Sequence, residues 1–152
     1  MTSASSSAVE DYAERQRAID VSQSFIVRAP AGSGKTRLLI QRYLALLSRV
    51  EEPEEIVAIT FTRKAATEMR KRVLDALAKA AHADDDSDED TSRLACAALE
   101  RDAERNWNIL GHPSRLRMQT IDALNASITR QMPLLARFGA QPESVEIGRA
   151  HV

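Results

Sequence analysis

Apolar positions in this chain follow two periods. From Ser24 to Arg28 the residues S-F-I-V-R form a short apolar run that stops at a proline and a glycine-rich turn, which predicts a buried strand. From Gly34 to about Arg49 the period lengthens, with Leu38, Leu39, Tyr43, Leu46 and Leu47 at helical spacing. Pro53 falls in the acidic connection Glu51 to Glu55. Ile56-Val57-Ala58-Ile59-Thr60 is then a continuous β-rich run of the kind expected for a fully buried parallel strand. Lys64 to Ala81 follows as a second amphipathic helix, with Met69, Val73, Leu77 and Ala81 on one stripe. Ahead of these elements, Ala13 to Asp20 reads as a short helix containing Gln16. Strand, helix, strand, helix at this spacing predicts an α/β fold with a parallel sheet and right-handed crossovers.

Further along, Thr91 to Trp107 reads as a helix broken by Gly111, His112 and Pro113. Arg115 to Thr120 is expected as a third strand and Ile121 to Gln131 as a helix behind it. There is no internal repeat. The chain divides into a Ser-rich tail (1–10), a first α/β unit (11–83), an acidic loop and helical insertion (84–114), and a return strand opening a helical segment (115–145). Ile147-Gly148-Arg149-Ala150-His151-Val152 resembles the in-frame translation of a short-read sequencing adapter, so 146–152 is expected to be a non-native tail. His151 is set aside with it.

Composition narrows the class. A chain of 152 residues with 43% apolar content makes one ordinary domain or slightly more. At 4% aromatic, its core must rest on Leu, Ile, Val and Ala. No apolar run approaches the roughly 20 residues needed to span a bilayer, and Met1 to Ala8 lacks the apolar segment of a secretory signal. One cysteine, Cys96, allows neither an internal disulfide nor a Cys-rich metal site, and a cytoplasmic setting is expected. Beside Leu94, Ala97 and Leu99, Cys96 is expected to be packed in the core. The net charge of −1 hides an uneven distribution. Asp84, Asp85, Asp86, Asp88, Glu89 and Asp90 crowd one tract, read as a solvated loop; the remainder carries 21 basic against 16 acidic residues. That remainder leaves room for a local basic surface.

The main chemical signal is Ala29-Pro30-Ala31-Gly32-Ser33-Gly34-Lys35-Thr36. It fits the P-loop pattern G-x-x-x-x-G-K-[ST] at every position but the first, where Ala29 replaces glycine. Small residues let the backbone wrap closely around phosphates, with its N–H groups turned inward as an anion nest. The helix from Gly34 adds the positive end of its dipole. Lys35 is expected at the β- and γ-phosphates, and the Thr36 hydroxyl on Mg²⁺. A strand before and a helix after give the motif its proper context. Nucleotide binding, with ATP and Mg²⁺ as cofactors, is the expectation.

A P-loop does not say what the nucleotide is for. A second motif, Thr60-Phe61-Thr62-Arg63-Lys64-Ala65-Ala66-Thr67-Glu68-Met69-Arg70, sits where ligands bind open parallel sheets, at the C-terminal end of a strand. Two hydroxyls and a flat aromatic ahead of a helix suit a nucleic-acid backbone and a stacked base. The same residues read equally well as a strand-to-helix loop with Thr62 as N-cap.

Together the two motifs resemble motifs I and Ia of the UvrD/Rep/RecB family of superfamily 1 helicases, in which Ala at the first P-loop position is common. Gln119-Thr120-Ile121-Asp122-Ala123-Leu124 resembles the family's motif Ib, with Asp122 where His is usual. Glu14-Arg15-Gln16-Arg17 resembles its Q motif. The stretch Arg101 to Ala140, including Arg105-Asn106-Trp107 and Gln131-Met132-Pro133-Leu134-Leu135, is most similar to the RecB/AddA-like exonuclease-associated helicases. The resemblance covers most of Asp11 to Glu143. It implies that Gln16 recognises adenine and that Ala29, Pro30, Ala31, Gly32, Ser33, Gly34, Lys35 and Thr36 hold the triphosphate, with Arg37 nearby. It implies that Phe61, Thr62 and Arg63 border a single-strand track and that Thr120 contacts the backbone of single-stranded DNA. The implied fold is a P-loop NTPase of partial RecA-like type (helicase domain 1A), leading into a helical insertion. The implied activity is an ATP-dependent 3′–5′ DNA helicase or translocase, of the helicase-nuclease kind used in DNA repair and recombination. The partner implied with it is a further protein carrying nuclease or helicase activity.

Some parts of such a motor are missing from these residues. No apolar strand ends in D-E-x-x, and there is no second RecA-like domain to supply an arginine across the cleft. The chain is therefore expected to be the N-terminal portion of a longer motor and nearly inactive alone. Two other readings stand beside this one: a nucleotide-binding chain without turnover, and a small P-loop phosphotransferase, which the T-F-T-R-K-A-A segment disfavours. Trp107 is expected as a packing anchor, His82 and His112 as loop residues without metal partners, and Arg70, Lys71 and Arg72 as a solvated helix face.

Overall fold

Five helices and two short strands make up the computed structural model, which describes residues 12–82 and 88–131. The tail 1–10, Asp84, Asp85, Asp86, the stretch 132–145 and the tail 146–152 lie outside the described residues, together with the expectations attached to them. In chain order the elements are α1 (12–19), α2 (Lys35–Leu47), β1 (Val57–Thr60), α3 (Arg63–Ala81), α4 (Glu89–Arg105), β2 (Arg117–Thr120) and α5 (Ile121–Gln131). Short 3₁₀ turns at Pro53–Glu55 and Pro113–Arg115 lead into the two strands. Each turn has proline at its start, where the missing N–H costs nothing.

β1 and β2 pair in parallel, Val57 opposite Arg117 and Thr60 opposite Thr120. Parallel strands need a long crossover, and here α3 and α4 supply it. α3 covers one face of the strand pair, while α4 packs against both α2 and α3. The sequence pattern explains which faces meet. Leu38, Tyr43, Leu44 and Leu47 line the inner face of α2; Val73 and Leu77 that of α3; Leu94, Ala95 and Ala98 that of α4. The alanines on α4 let its backbone approach α2 and α3 closely. Met118, Leu116, Ile109 and Trp107 close the same cluster, so the 84–114 helix shares its core with the first α/β unit.

Helix ends are set by local chemistry. The Thr62 hydroxyl accepts from the Ala65 amide and caps α3, the second of the two readings of that loop. Asp88 caps α4 through the Thr91 amide, and Asn106 ends that helix in the left-handed conformation. Trp107 is only 3% exposed and its indole Nε1 donates to the Glu51 carbonyl at 3.2 Å, so it does anchor the packing.

Four expectations are corrected. Ser24–Arg28 is not a strand: it is irregular, and Ile26 is 89% exposed. A strand exists only through hydrogen bonds to a neighbour, and among the described residues this run has none. The run from Ile56 to Thr60 is a strand from Val57 but is not fully buried: Ile59 is 50% exposed. Only one sheet face is covered by α3, so Val57 and Ile59, on the other, stay in solvent with Arg117 and Gln119 opposite them. Cys96 is exposed rather than packed, because Leu94, Ala95 and Ala98 take the inner face of α4 and leave position 96 outside. Arg70 departs from the solvated face of Lys71 and Arg72: it turns inward and donates to the Met118 carbonyl at 2.8 Å.

Candidate functional site

The geometry is organised by two glycines. Gly32 (φ 81°) and Gly34 (φ 82°) lie in the left-handed region, where a Cβ is strained. They turn the chain sharply between Pro30 and the start of α2, with the Ser33 amide donating to the Pro30 carbonyl at 3.3 Å. Gly34 is the N-cap of α2 but has no side chain to cap with, so the first amides of the helix are open to another acceptor. The Lys35 side chain curls back into the loop and donates to the carbonyls of Ala29 and Pro30 at 2.5 and 2.6 Å. The Ser33 hydroxyl is buried without a hydrogen-bond partner among the described residues. Thr36 is exposed on the first turn of α2.

Around this loop the structure gathers residues from α1 and α4. Arg15 donates to the Ser33 carbonyl at 2.6 Å, and its guanidinium lies over Gly34, where a Cβ would meet Nη1 at 3.2 Å. A cavity of about 430 Å³ is lined by Tyr12, Arg15, Gln16, Ile19, Gly32, Ser33, Gly34, Arg37, Gln41 and Asp90. A neighbouring one of about 370 Å³ runs from the loop, including Ala29 and Lys35, along Phe25 and Val27. Ala31 is exposed at the tip.

The N-terminus of α4 meets these residues with two carboxylates, of which Asp90 lines the cavity and Asp88 lies behind it. Asp88 forms an ion pair with Arg37 at 2.8 Å and accepts from Gln41 at 3.3 Å. Asp90 accepts from the Gln16 amide at 2.8 Å. The acidic tract is therefore not simply a solvated loop: Asp88 and Asp90 are half-buried and bonded to residues around the loop of glycines, while Glu89 is exposed. Sequence reading missed Arg15, Gln41, Asp88 and Asp90 as site residues. The available signal was the D-E-D-T sequence opening the apolar period of α4, a helix N-terminus with acids in its first turn.

Burial pushes the Asp88 carboxyl up, but the Thr91 hydroxyl and amide and the Arg37 charge outweigh it and hold it below the usual carboxylate range. A carboxylate depressed by folding stabilises the fold above its unfolded pKa, and that contribution fades as the pH falls through the folded value. Asp88→Ala is expected to cost about 1 kcal/mol at neutral pH through loss of the cap. The gap to the parent chain should narrow as the pH falls through and below the ordinary carboxylate range, as the parent's own carboxylate takes a proton. Urea midpoints across that range check this; a constant gap would show that the Asp88 charge contributes nothing.

A second group of residues lies at the C-terminal ends of the paired strands. Phe61 is 94% exposed, and Thr62 and Arg63 are exposed beside it. Thr120 stands opposite Thr60 in the register, so both strand ends open side by side. Thr120 is itself buried, and its hydroxyl accepts from the Ala123 amide to start α5. Among the described residues no cluster of His, Cys, Asp or Glu could hold a metal ion by itself, and no helix is long and apolar enough to cross a membrane. The His112 ring lies 3.2 Å from the Asn108 carbonyl, a local contact within its own loop.

Residues 11–143 match the profile of the UvrD/REP helicase N-terminal domain. The chain is 37% identical over 86 residues to the A subunit of the ATP-dependent helicase/nuclease of Clostridium perfringens, a match that covers 54% of this chain and 7% of that protein. It is 41% identical over 59 residues to the protein of the same name from Clostridium beijerinckii (37% of this chain, 5% of the relative). Against that of Desulfitobacterium hafniense it is 42% identical over 69 residues (43% and 5%). The chain thus spans well under a tenth of the length of the curated relatives it matches.

Proposed function

The chain belongs to the UvrD/REP helicase N-terminal domain family, and from that premise we propose that it is the ATP-binding N-terminal portion of an ATP-dependent DNA helicase or translocase of the helicase-nuclease type. Its fold is then the opening part of a RecA-like P-loop domain. The observation that carries the reading is the loop of Gly32 and Gly34 at the start of α2, with Lys35 folded into it.

The residues present fit a magnesium nucleotide. The loop offers open α2 amides, a Ser33 hydroxyl without a partner among the described residues, and a lysine whose ammonium donates to the carbonyls of two exposed residues. An incoming polyphosphate is a better partner for that ammonium than two neutral carbonyls, since charge-assisted hydrogen bonds are about twice as strong. Thr36, exposed on the first turn, presents its hydroxyl for the magnesium ion. Arg15 and Arg37 add positive charge on two sides, and Gln16 faces the cavity as the reader of the base. When bound, MgATP supplies a transferable phosphoryl group whose charge the metal neutralises. At the strand ends, Phe61 offers a stacking face and Arg63 a phosphate contact for single-stranded DNA. Thr120 acts there through its position, because its hydroxyl already caps α5. A nuclease or helicase partner belongs to the same proposal, supported by the names of the relatives. Movement in the 3′–5′ direction is the family's usual polarity and is not written in the two motifs.

Equilibrium titration with MgATP tests the reading at its root: absence of saturable binding up to millimolar nucleotide overturns it. Turnover is a separate matter. These residues include no apolar strand ending in D-E-x-x, so they lack a carboxylate to orient water. We expect this chain to hydrolyse ATP at well below roughly 1 s⁻¹, the low end for working enzymes, with or without single-stranded DNA. A steady-state rate above that value would mean that another carboxylate of the chain orients the water.

A further inference from the structure

Gln16, like Gln41, is a cavity residue whose chemistry depends on which way its amide faces. A side-chain amide presents an oxygen acceptor and two N–H donors, and a half turn exchanges their positions. Asp90 removes that ambiguity. Its carboxylate accepts from Gln16 Nε2 at 2.8 Å, and a carboxylate can only accept, so the amide oxygen is turned away from it. Asp90 is itself held in place: it lies in the first turn of α4 and its other oxygen pairs with Arg93 at 3.4 Å. Both Gln16 and Asp90 line the same cavity as Gly32, Ser33 and Gly34.

We propose that Asp90 is a positioning residue for base selection, fixing the Gln16 amide so that it presents one acceptor and one donor side by side to the bound nucleotide. The inference rests on the nucleotide-binding reading above and goes a step past it, to the residue that sets which base is taken. With one N–H committed to Asp90, Gln16 keeps its Oε1 and one N–H. That pair complements an adenine edge, which offers an amino donor at N6 next to an acceptor at N7. Guanine offers two acceptors, O6 and N7, on the same edge. Against guanine the fixed amide oxygen faces O6, and two acceptors oppose each other without a proton between them. An aspartate on another helix thus decides between the purines through the glutamine it holds.

The test compares ATP and GTP binding to the full 152-residue chain by calorimetric titration in magnesium. The variants are Asp90→Asn, Asp90→Glu and Lys35→Ala. Asparagine is isosteric but can satisfy either orientation of the glutamine amide. Asp90→Asn is expected to lower the ratio of GTP to ATP dissociation constants about tenfold, the size of one misdirected hydrogen bond. Most of that change should come from weaker ATP binding, and Asp90→Glu should restore part of the preference. An unchanged ratio in Asp90→Asn, or equal weakening of both nucleotides, overturns the proposal and leaves nucleotide binding intact, provided Lys35→Ala weakens both. If the parent chain binds neither nucleotide, or Lys35→Ala alters neither, the nucleotide reading falls and this inference with it.

Discussion

Lys35→Ala is expected to weaken ATP binding roughly 10- to 150-fold, the equivalent of about 1.5–3 kcal/mol for a lost charge-assisted contact. The structure makes this a clean substitution. The Lys35 ammonium donates to the Ala29 and Pro30 carbonyls, both on exposed residues that water can serve once the ammonium is gone. Fold stability should therefore stay within about 0.5 kcal/mol, as for other surface positions. A change in affinity without a change in unfolding midpoint is the signature of a ligand-directed lysine. Titration calorimetry and urea unfolding on the same two samples provide both numbers. If the variant binds ATP within twofold of the parent, the loop does not hold phosphates through this residue.

The second large effect concerns the fold. Trp107→Ala should cost about 3–5 kcal/mol, the range for emptying a buried aromatic site. Trp107 follows the end of α4, seals the α2–α4 cluster and ties the chain back to the Glu51 carbonyl; Arg115 in turn donates to the Trp107 carbonyl. A domain with a total stability of about 5–15 kcal/mol loses a large share of it in one step. Trp107→Phe keeps most of the apolar volume and leaves the Glu51 carbonyl, on an exposed residue, to water, so its cost should be markedly smaller. Far-UV circular dichroism in urea is the suitable measurement, because the only tryptophan is the one removed. Equal midpoints for the alanine variant and the parent would mean that the indole is not part of the folded core.

What could be read from the residues were the elements whose signals are local. The helical periods of α2 and α3 and the start of α5 at Ile121 follow from spacing, whereas α4 ends at Asn106, ahead of the Gly111-His112-Pro113 break expected to stop it. The left-handed turn at Gly32 and Gly34, which few other residue types adopt at low cost, is local too. The misreadings share a cause: each depended on a neighbour that the local sequence does not specify. An apolar run such as Ser24–Arg28 reports a tendency to be buried, but pairing is decided elsewhere in the chain. Two covered faces are expected of Ile56–Thr60, and it has one. The apolar neighbours of Cys96 point inward, whereas helix phase puts the thiol outward. At the site, the residues of the glycine loop announced themselves by pattern. Asp88 and Asp90 did not, since acids in a tract of acids read as solvated until tertiary structure brings Arg37 and Gln16 to meet them.

Cys96 acquires a use from that same helix phase. It is the chain's single thiol, and it projects from the outer side of α4. Asp90 lies six positions earlier on the same helix, about 9 Å along the axis at 1.5 Å per residue. A thiol-reactive dye therefore has one address on the molecule, on the helix whose first turn reaches the glycine loop yet clear of its buried face. The protein comes with its own attachment point for an optical reporter of ligand arrival, with no cysteine to remove and none to introduce.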